Sequence, residues 1–453
     1  MELPEHRETP LESKTPAVVL IAIAIVVQIA LAIRYFGFFI GDDVEILAEA
    51  FRVARGIPYG AWNIRSLFVP HVVVAPAIAL AAALGISNNV LLVGAATMPF
   101  IALSAATNWL VYRLTLRWTE DSIGALAALA LYAFHWIPLG FGSMVFPRIV
   151  STFCVVAAAL LVTSTERTAA CHIAAGALVA IAFADRFSEI VYLIPLTLIA
   201  RRRVLLLAAT LVSIVLLAGG YDWLAWGEPF ASLLRFARVT IVETDFTSRV
   251  KYQSPLWYVE TLTRWSALTI IPLVWFGRRF ARWSFILAPL VTLSLVRHKE
   301  MRYVAGILPF LMIAAGAGFA VLWRSDRRAL AAALLGVSLI WDGSGLRYLA
   351  RKSMPAIAAA RLIGVDPRVH SVAVSQLWAY GARLFLTHRM KVVEFETPPH
   401  GLENAIGRVD AFLLYESDVG PDLARLLRSA GYVPTNRFDD GRARAVVVYR
   451  RGS

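Results

Sequence analysis

Carboxylates crowd the start of one predicted helix, where Asp42, Asp43, Glu45 and Glu49 follow closely on the first long apolar run. Spacings of three and four place Asp42, Glu45 and Glu49 on one side of a helix, and Asp43 adds a second charge beside the first. A close acidic pair suits removal of a proton from a hydroxyl, since neighbouring charge and partial burial raise a carboxylate's pKa. The same residues also read as a capping box, with Asp42 at the N-cap and Glu45 three positions on. That reading has no use for Asp43. Past the helix, Tyr59, Trp62, Asn63 and Arg65 present the flat aromatic and amide groups that suit a sugar. An interfacial aromatic belt accounts for Tyr59 and Trp62 equally well, but not for Asn63 or Arg65. Much later comes Arg297-His298-Lys299-Glu300-Met301-Arg302-Tyr303. Lys299 supplies point charge and Arg302 a planar fork, a combination suited to a lipid-linked phosphate or diphosphate. A salt-bridge network through Glu300 is the competing account, and exposed pairs of that kind contribute little.

These groups must be positioned by membrane helices. The chain has 453 residues and is 58% hydrophobic, with a mean hydropathy of +0.65, too apolar for a soluble protein. Apolar runs long enough to cross a ~30 Å hydrocarbon core recur from Thr15 to about Tyr348. We expect an all-α polytopic membrane protein of about 11 transmembrane helices, at roughly 16–36, 90–112, 122–139, 149–164, 170–184, 187–200, 204–220, 262–277, 283–297, 303–322 and 329–346. The net charge of +13 is not a nucleic-acid signature, because the arginines punctuate alternate apolar runs instead of gathering on a soluble face. Arg113 and Arg117, Arg201 to Arg203, and Arg324, Arg327 and Arg328 mark cytoplasmic loops under the positive-inside rule. Residues 1–15 are then cytoplasmic, and they lack the basic start and small-residue cleavage site of a signal peptide. The catalytic region is expected over 16–350, with outer loops at 38–89 and 221–260. The segments 38–70, 221–260 and 297–303 share the noncytoplasmic side. Phe68–Leu84, with Pro70 and Pro76, is read as a helix at that surface, and a twelfth crossing is the alternative. Cys154 and Cys171 form no disulfide framework and no metal-ligand spacing.

From about Asp366 to Ser453 the composition turns mixed. Strands are expected at Val369–Val374, Lys391–Phe395, Ala411–Tyr415 and Ala443–Tyr449, with helices at Gln376–Leu386 and Pro421–Ala430. Residues 366–453 thus form a small extramembrane α/β domain, for which an acceptor-positioning or partner-binding role outranks a second active site.

With these residues in view, the chain resembles the GT-C glycosyltransferases of family 22, which include the GPI-anchor and N-glycan mannosyltransferases. His298-Lys-Glu-Met-Arg-Tyr is similar to their HKExRF-type motif, and Asp42-Asp43 stands in the place of their early His-Pro-Asp-Glu. Trp62-Asn-Ile-Arg-Ser-Leu-Phe-Val-Pro, Phe146-Pro-Arg-Ile-Val-Ser-Thr-Phe and Asp222-Trp-Leu-Ala-Trp-Gly-Glu-Pro-Phe follow the family's order. Departures are Gly41 for the early proline, Asp43 for glutamate, Trp226 for tyrosine and Tyr303 for phenylalanine.

The resemblance implies a GT-C-like fold and an inverting transfer of a sugar, most often mannose, from a polyprenyl-phosphate donor to a glycan or lipid hydroxyl. In that scheme Asp42 deprotonates the acceptor and Asp43 orients it or tunes its neighbour. Arg65, His298, Lys299 and Arg302 hold the departing phosphate, while Glu45, Tyr59, Trp62, Asn63 and Asp222 contact substrate. No cofactor or obligatory metal is expected, since the leaving group is a phosphate held by cations. Partners are the bilayer, the lipid-linked sugar and the acceptor, with the active site on the noncytoplasmic face of an inner membrane. Arg148 and Arg186 are expected as snorkelling anchors or secondary phosphate contacts. A transporter or flippase of an anionic lipid is the alternative, although midplane polar residues and internal repeats, its usual marks, are not evident.

Overall fold

The computed structural model describes residues 14–34, 42–57, 64–164, 168–242, 253–277, 282–296, 299, 301–350, 354–375, 382–386, 390–395, 402–439 and 444–452. Inside lipid a backbone can satisfy its polar groups within one segment only as helix, and helix dominates. Among the described residues, Thr15–Arg34, Asn89–Thr119, Arg203–Trp226, Tyr303–Arg324 and Arg328–Arg347 are long and apolar enough to cross a membrane. Shorter apolar helices include Ser122–Ala133, Arg148–Val162, Ala169–Asp185 and Ser284–Leu295. The molecule is an integral membrane protein.

Some expected continuous spans are broken, for local reasons. Residues 187–200 form a 3-10 helix, Phe187–Tyr192, followed by the α-helix Leu193–Ile199. Residues 262–277 divide between Trp257–Trp265 and Ile270–Phe276. Pro195 and Pro272 each fall in the first turn of the second segment, where a missing N–H costs least. The span expected over 122–139 stops at Ala133, and the His135 ring then accepts from Ile137 N at 3.1 Å to cap Trp136–Phe141.

The chain divides into two compact units: Met1–Ile29, Ile101–Gly142 and Arg148–Leu346 form one, and Ala30–Phe100, Ser143–Pro147 and Arg347–Ser453 the other. The first is a helical bundle around Leu308–Arg324. A Cβ on Gly316 would lie 2.5 Å from the Gly124 carbonyl, and one on Gly318 would collide with the Leu273 carbonyl. Small residues thus let the backbones approach, the usual device where lipid supplies no hydrophobic drive between helices. Beside them Phe285 stacks on Phe310 with centroids 4.6 Å apart, and Trp118 tilts onto Phe285.

In the second unit the amphipathic helix Asp42–Arg55 buries Leu47, Ala50 and Phe51 and packs against Pro70–Val74 and Ala75–Ala83. The same unit holds a five-stranded sheet of order β2-β1-β3-β5-β4, with β1 Ser371–Ser375, β2 Lys391–Phe395, β3 Ala411–Tyr415, β4 Tyr432–Phe438 and β5 Val446–Arg451. β1 runs parallel to β2 and β3, whereas β5 is antiparallel to β3 and β4. Phe412, Leu414, Leu427 and Tyr432 sit in its core, and the Tyr432 hydroxyl donates to Val409 O at 2.6 Å. Two expectations need correction. β4 has no counterpart in the sequence reading, because Pro434 argues against a strand; it is tolerated here at the sheet edge, beside a register shift between Pro434 and Asn436. Of the helix expected over 376–386, the described part is a 3-10 turn, Ala382–Phe385, and residues 376–381 lie outside the described residues.

Candidate functional site

Asp42 is the first residue of the helix Asp42–Arg55; its side chain lies outside the described residues. Asp43, one residue on, is fully buried. Glu45 is ion-paired with Arg65 through the guanidinium Nε, which ties the helix to the chain leaving it. Glu49 accepts from Arg52 Nε at 2.8 Å and Nη2 at 2.6 Å, and its Oε1 lies 2.6 Å from His71 Nε2. Burial pushes the Glu49 carboxyl up, but hydrogen bonds from Arg52 and His71 outweigh it and hold the group below its ordinary value. What reads in sequence as one acidic face is therefore divided. Glu45 and Glu49 are matched by cations within the same unit.

Arg65, expected at the donor phosphate, already engages a carboxylate, so a phosphate there would compete with Glu45. Tyr59, Trp62 and Asn63 lie outside the described residues. Asp222, expected to touch substrate, is buried and accepts from Ser232 N at 2.9 Å and Ser232 Oγ at 2.5 Å. It caps the short helix Ala231–Ala237, a structural use that fully accounts for one of its oxygens.

In the basic motif, Lys299 is only 2% exposed, donates to Val296 O and lies 6.0 Å from the centroid of the Tyr258 ring. Desolvation lowers its pKa, so an incoming anion would stabilise the charged form. His298 and Glu300 lie outside the described residues, as does the Arg302 side chain. Arg302 falls in the 3-10 helix Met301–Ile307.

Arg148 corrects the sequence reading. It is not a snorkelling anchor: it is 1% exposed, paired with the buried Glu189, and its guanidinium carbon lies 4.9 Å from the Tyr303 ring centroid. The sequence alone assigns Glu189 no role. An arginine inside an apolar run was a signal, but its partner lies 41 positions on, beyond what spacing reveals. A second unforeseen polar group joins His135, whose Nε2 is 3.4 Å from Ser266 Oγ and 3.9 Å from Asp342 Oδ1. Among the described residues no three His, Cys, Asp or Glu side chains are grouped as metal ligands would be. Within the second unit a cavity of about 800 Å³ opens between Asn88, Arg361, Phe385 and Phe438, and among the described residues none of the sequence-predicted site residues line it.

Comparison with known proteins supplies an independent view. A family model described as the Alg9-like mannosyltransferase family matches residues 58–400. GPI mannosyltransferase 3 of Yarrowia lipolytica is 28% identical over 183 residues, covering 39% of this chain and 35% of that protein. The matched stretch thus spans about a third of that curated relative. Among solved structures, ArnT from Cupriavidus metallidurans bound to undecaprenyl phosphate superposes with a TM-score of 0.65 at 13% identity, covering 96% of this chain and 98% of that one. The apo oligosaccharyltransferase of Archaeoglobus fulgidus gives 0.54 at 11% identity, covering 90% and 70%. Both likenesses concern the fold, which is of the GT-C type.

Proposed function

The chain belongs to the Alg9-like mannosyltransferase family, and we propose that it transfers a sugar, mannose in the first instance, from a polyprenyl phosphate to a hydroxyl of a glycan or lipid acceptor. The single observation that carries this reading is the family match over residues 58–400, a stretch that includes both Arg65 and the basic motif. The GT-C fold is known to accommodate a polyprenyl phosphate in the ArnT neighbour.

The chemistry follows from the residues. Asp42, at the head of its helix, takes the acceptor proton as the hydroxyl oxygen attacks the anomeric carbon, and the sugar inverts. Asp43, buried beside it, orients the acceptor or raises the basicity of Asp42. Charge develops on the departing lipid phosphate, and Lys299, Arg302 and His298 meet it with cations and donors. Lys299 leads this set because a partly desolvated ammonium gains most from an anion. Arg65 belongs to the same set, with Glu45 competing for it. Tyr59, Trp62 and Asn63 are assigned to the sugar or acceptor. Asp222 is assigned to the substrate side through its second carboxylate oxygen, the first being held by Ser232. No metal is obligatory in this scheme. We assign about eleven crossings, the active side to the noncytoplasmic face, and the α/β domain of 366–453 to acceptor positioning.

The test is transfer by purified protein in lipid nanodiscs, supplied with polyprenyl-phosphate mannose and a membrane extract containing the acceptor. Labelled mannose should pass to an extractable glycan or lipid and persist in chelator, and GDP-mannose should not replace the donor. Movement of lipid-linked sugar across a vesicle bilayer without any new glycosidic bond would instead establish a transporter. Dependence on added divalent cation would overturn the metal-free assignment.

A further inference from the structure

We propose that the buried Arg148–Glu189 pair is a positioning device for the basic turn, holding Lys299 and Arg302 where, on the reading above, they receive the donor's lipid phosphate. Arg148 opens the helix Arg148–Val162, and Glu189 lies in the 3-10 helix Phe187–Tyr192. From one guanidinium, Nη1 donates to Glu189 Oε1 and, at 3.4 Å, to the Tyr303 carbonyl, while Nη2 reaches Ser188 Oγ at 3.4 Å. The Tyr303 ring packs over the same cation. Tyr303 directly follows Arg302, so the pair grips the turn by both backbone and ring at the residue next to a predicted phosphate ligand.

The other end of the turn is held from the same side. A Cβ on Gly306 would meet the Tyr192 hydroxyl at 2.9 Å and Glu189 Oε2 at 3.3 Å, so the backbone there rests directly on the pair and on Tyr192. The helix that carries Arg148 is itself pinned, because Asp185 Oδ2 accepts from Ser151 N at 3.1 Å. Three segments of the first unit therefore converge on one ion pair.

Stability alone does not explain it. Burying two charges costs more solvation than most pairs regain, and apolar residues of equal volume serve a core as well or better. What an ion pair supplies that apolar packing lacks is direction. The fork of Arg148 fixes where a carboxylate, a carbonyl and a ring must lie.

The experiment measures binding of radiolabelled polyprenyl phosphate, and separately the KM for donor and acceptor, on monodisperse protein in nanodiscs. Arg148→Lys keeps the charge and loses the fork; Gly306→Ala keeps every charge and pushes the turn off the pair. Each should weaken polyprenyl-phosphate binding and raise the donor KM by about tenfold, the scale at which residues away from a ligand act on it, with the acceptor KM unchanged. Adding Tyr192→Phe to Gly306→Ala removes the atom the new methyl strikes and should restore binding. Wild-type binding by both single variants, or equal rises in the donor and acceptor KM, would overturn the proposal. So would losses that merely follow the yield of folded protein, or a Gly306→Ala defect that Tyr192→Phe leaves untouched. If the binding shifts appear as expected but the wild type transfers no sugar, the transferase reading falls and the positioning role stands.

Discussion

The acidic helix Asp42–Arg55 and the basic turn around Lys299 are held by ion pairs of different reach. In the first, Glu49 pairs with Arg52 three residues away and with His71 22 away, and Glu45 pairs with Arg65. These partners come from one neighbourhood of the chain. In the second, Arg148 bridges 41 residues to Glu189 and 155 to Tyr303, joining segments that only folding brings together. The Glu49–Arg52 pair forms whenever the helix does, whereas the pairs to Arg65 and His71 also need the chain that follows the helix to fold back on it. A remotely held turn depends on the whole bundle being packed, and perturbations distant in sequence reach it.

The largest effect expected from breaking this contrast lies in the acidic helix. Asp42→Asn should cut kcat by about 10²- to 10⁴-fold, the range for loss of a general base, with the donor KM little changed. Asp43→Asn should lower kcat less and shift the acid limb of its pH profile. If both variants retain transfer, the pair only begins a helix. Next comes Lys299→Met, which keeps the stem and removes the charge. It should weaken polyprenyl-phosphate binding by about tenfold, the worth of one charge-assisted contact, and the difference from wild type should shrink as salt rises. An equal loss of acceptor binding would place Lys299 elsewhere. The smallest is Glu49→Gln. Because the folded pKa of Glu49 lies below its ordinary 4.5, its stabilising pairing is fully present above that value and is lost as the pH falls through the lower folded one. Thermal unfolding should therefore separate wild type from Glu49→Gln by a few degrees at neutral pH, and the gap should close under strong acid. A gap that widens on acidification would have the sign reversed.

Much of the architecture was legible because its causes are local. Apolar length announces helices, although the runs at 187–200 and 262–277 are each divided, and the continuous run Ala411–Tyr415 announces a buried strand, which appears where expected. β4 was hidden by Pro434, whose tolerance depends on a sheet edge that no local window reveals. The candidate site divides in the same way. The spacing of Asp42, Asp43, Glu45 and Glu49 and the run of cations about Lys299 stand out as text. Glu49's use as a partner for Arg52 was within helical reach and readable, but His71 was not. Asp222 reads in sequence as a substrate contact, and the hydrogen bonds that Ser232 makes to one of its oxygens are visible only in the fold.

By itself, then, the sequence determined a helical membrane protein, its α/β tail, and the types of residue available for taking a proton and holding a phosphate, since hydropathy, periodicity and side-chain chemistry belong to each residue and its near neighbours. Tertiary structure alone decided which charges are already spent on one another. It paired Glu45 with Arg65, turned Asp222 to Ser232, and buried Arg148 against Glu189 beneath the turn that carries Arg302. The reason is physical: a charge removed from water must find its counterpart in space, and that counterpart can come from any part of the chain the fold delivers.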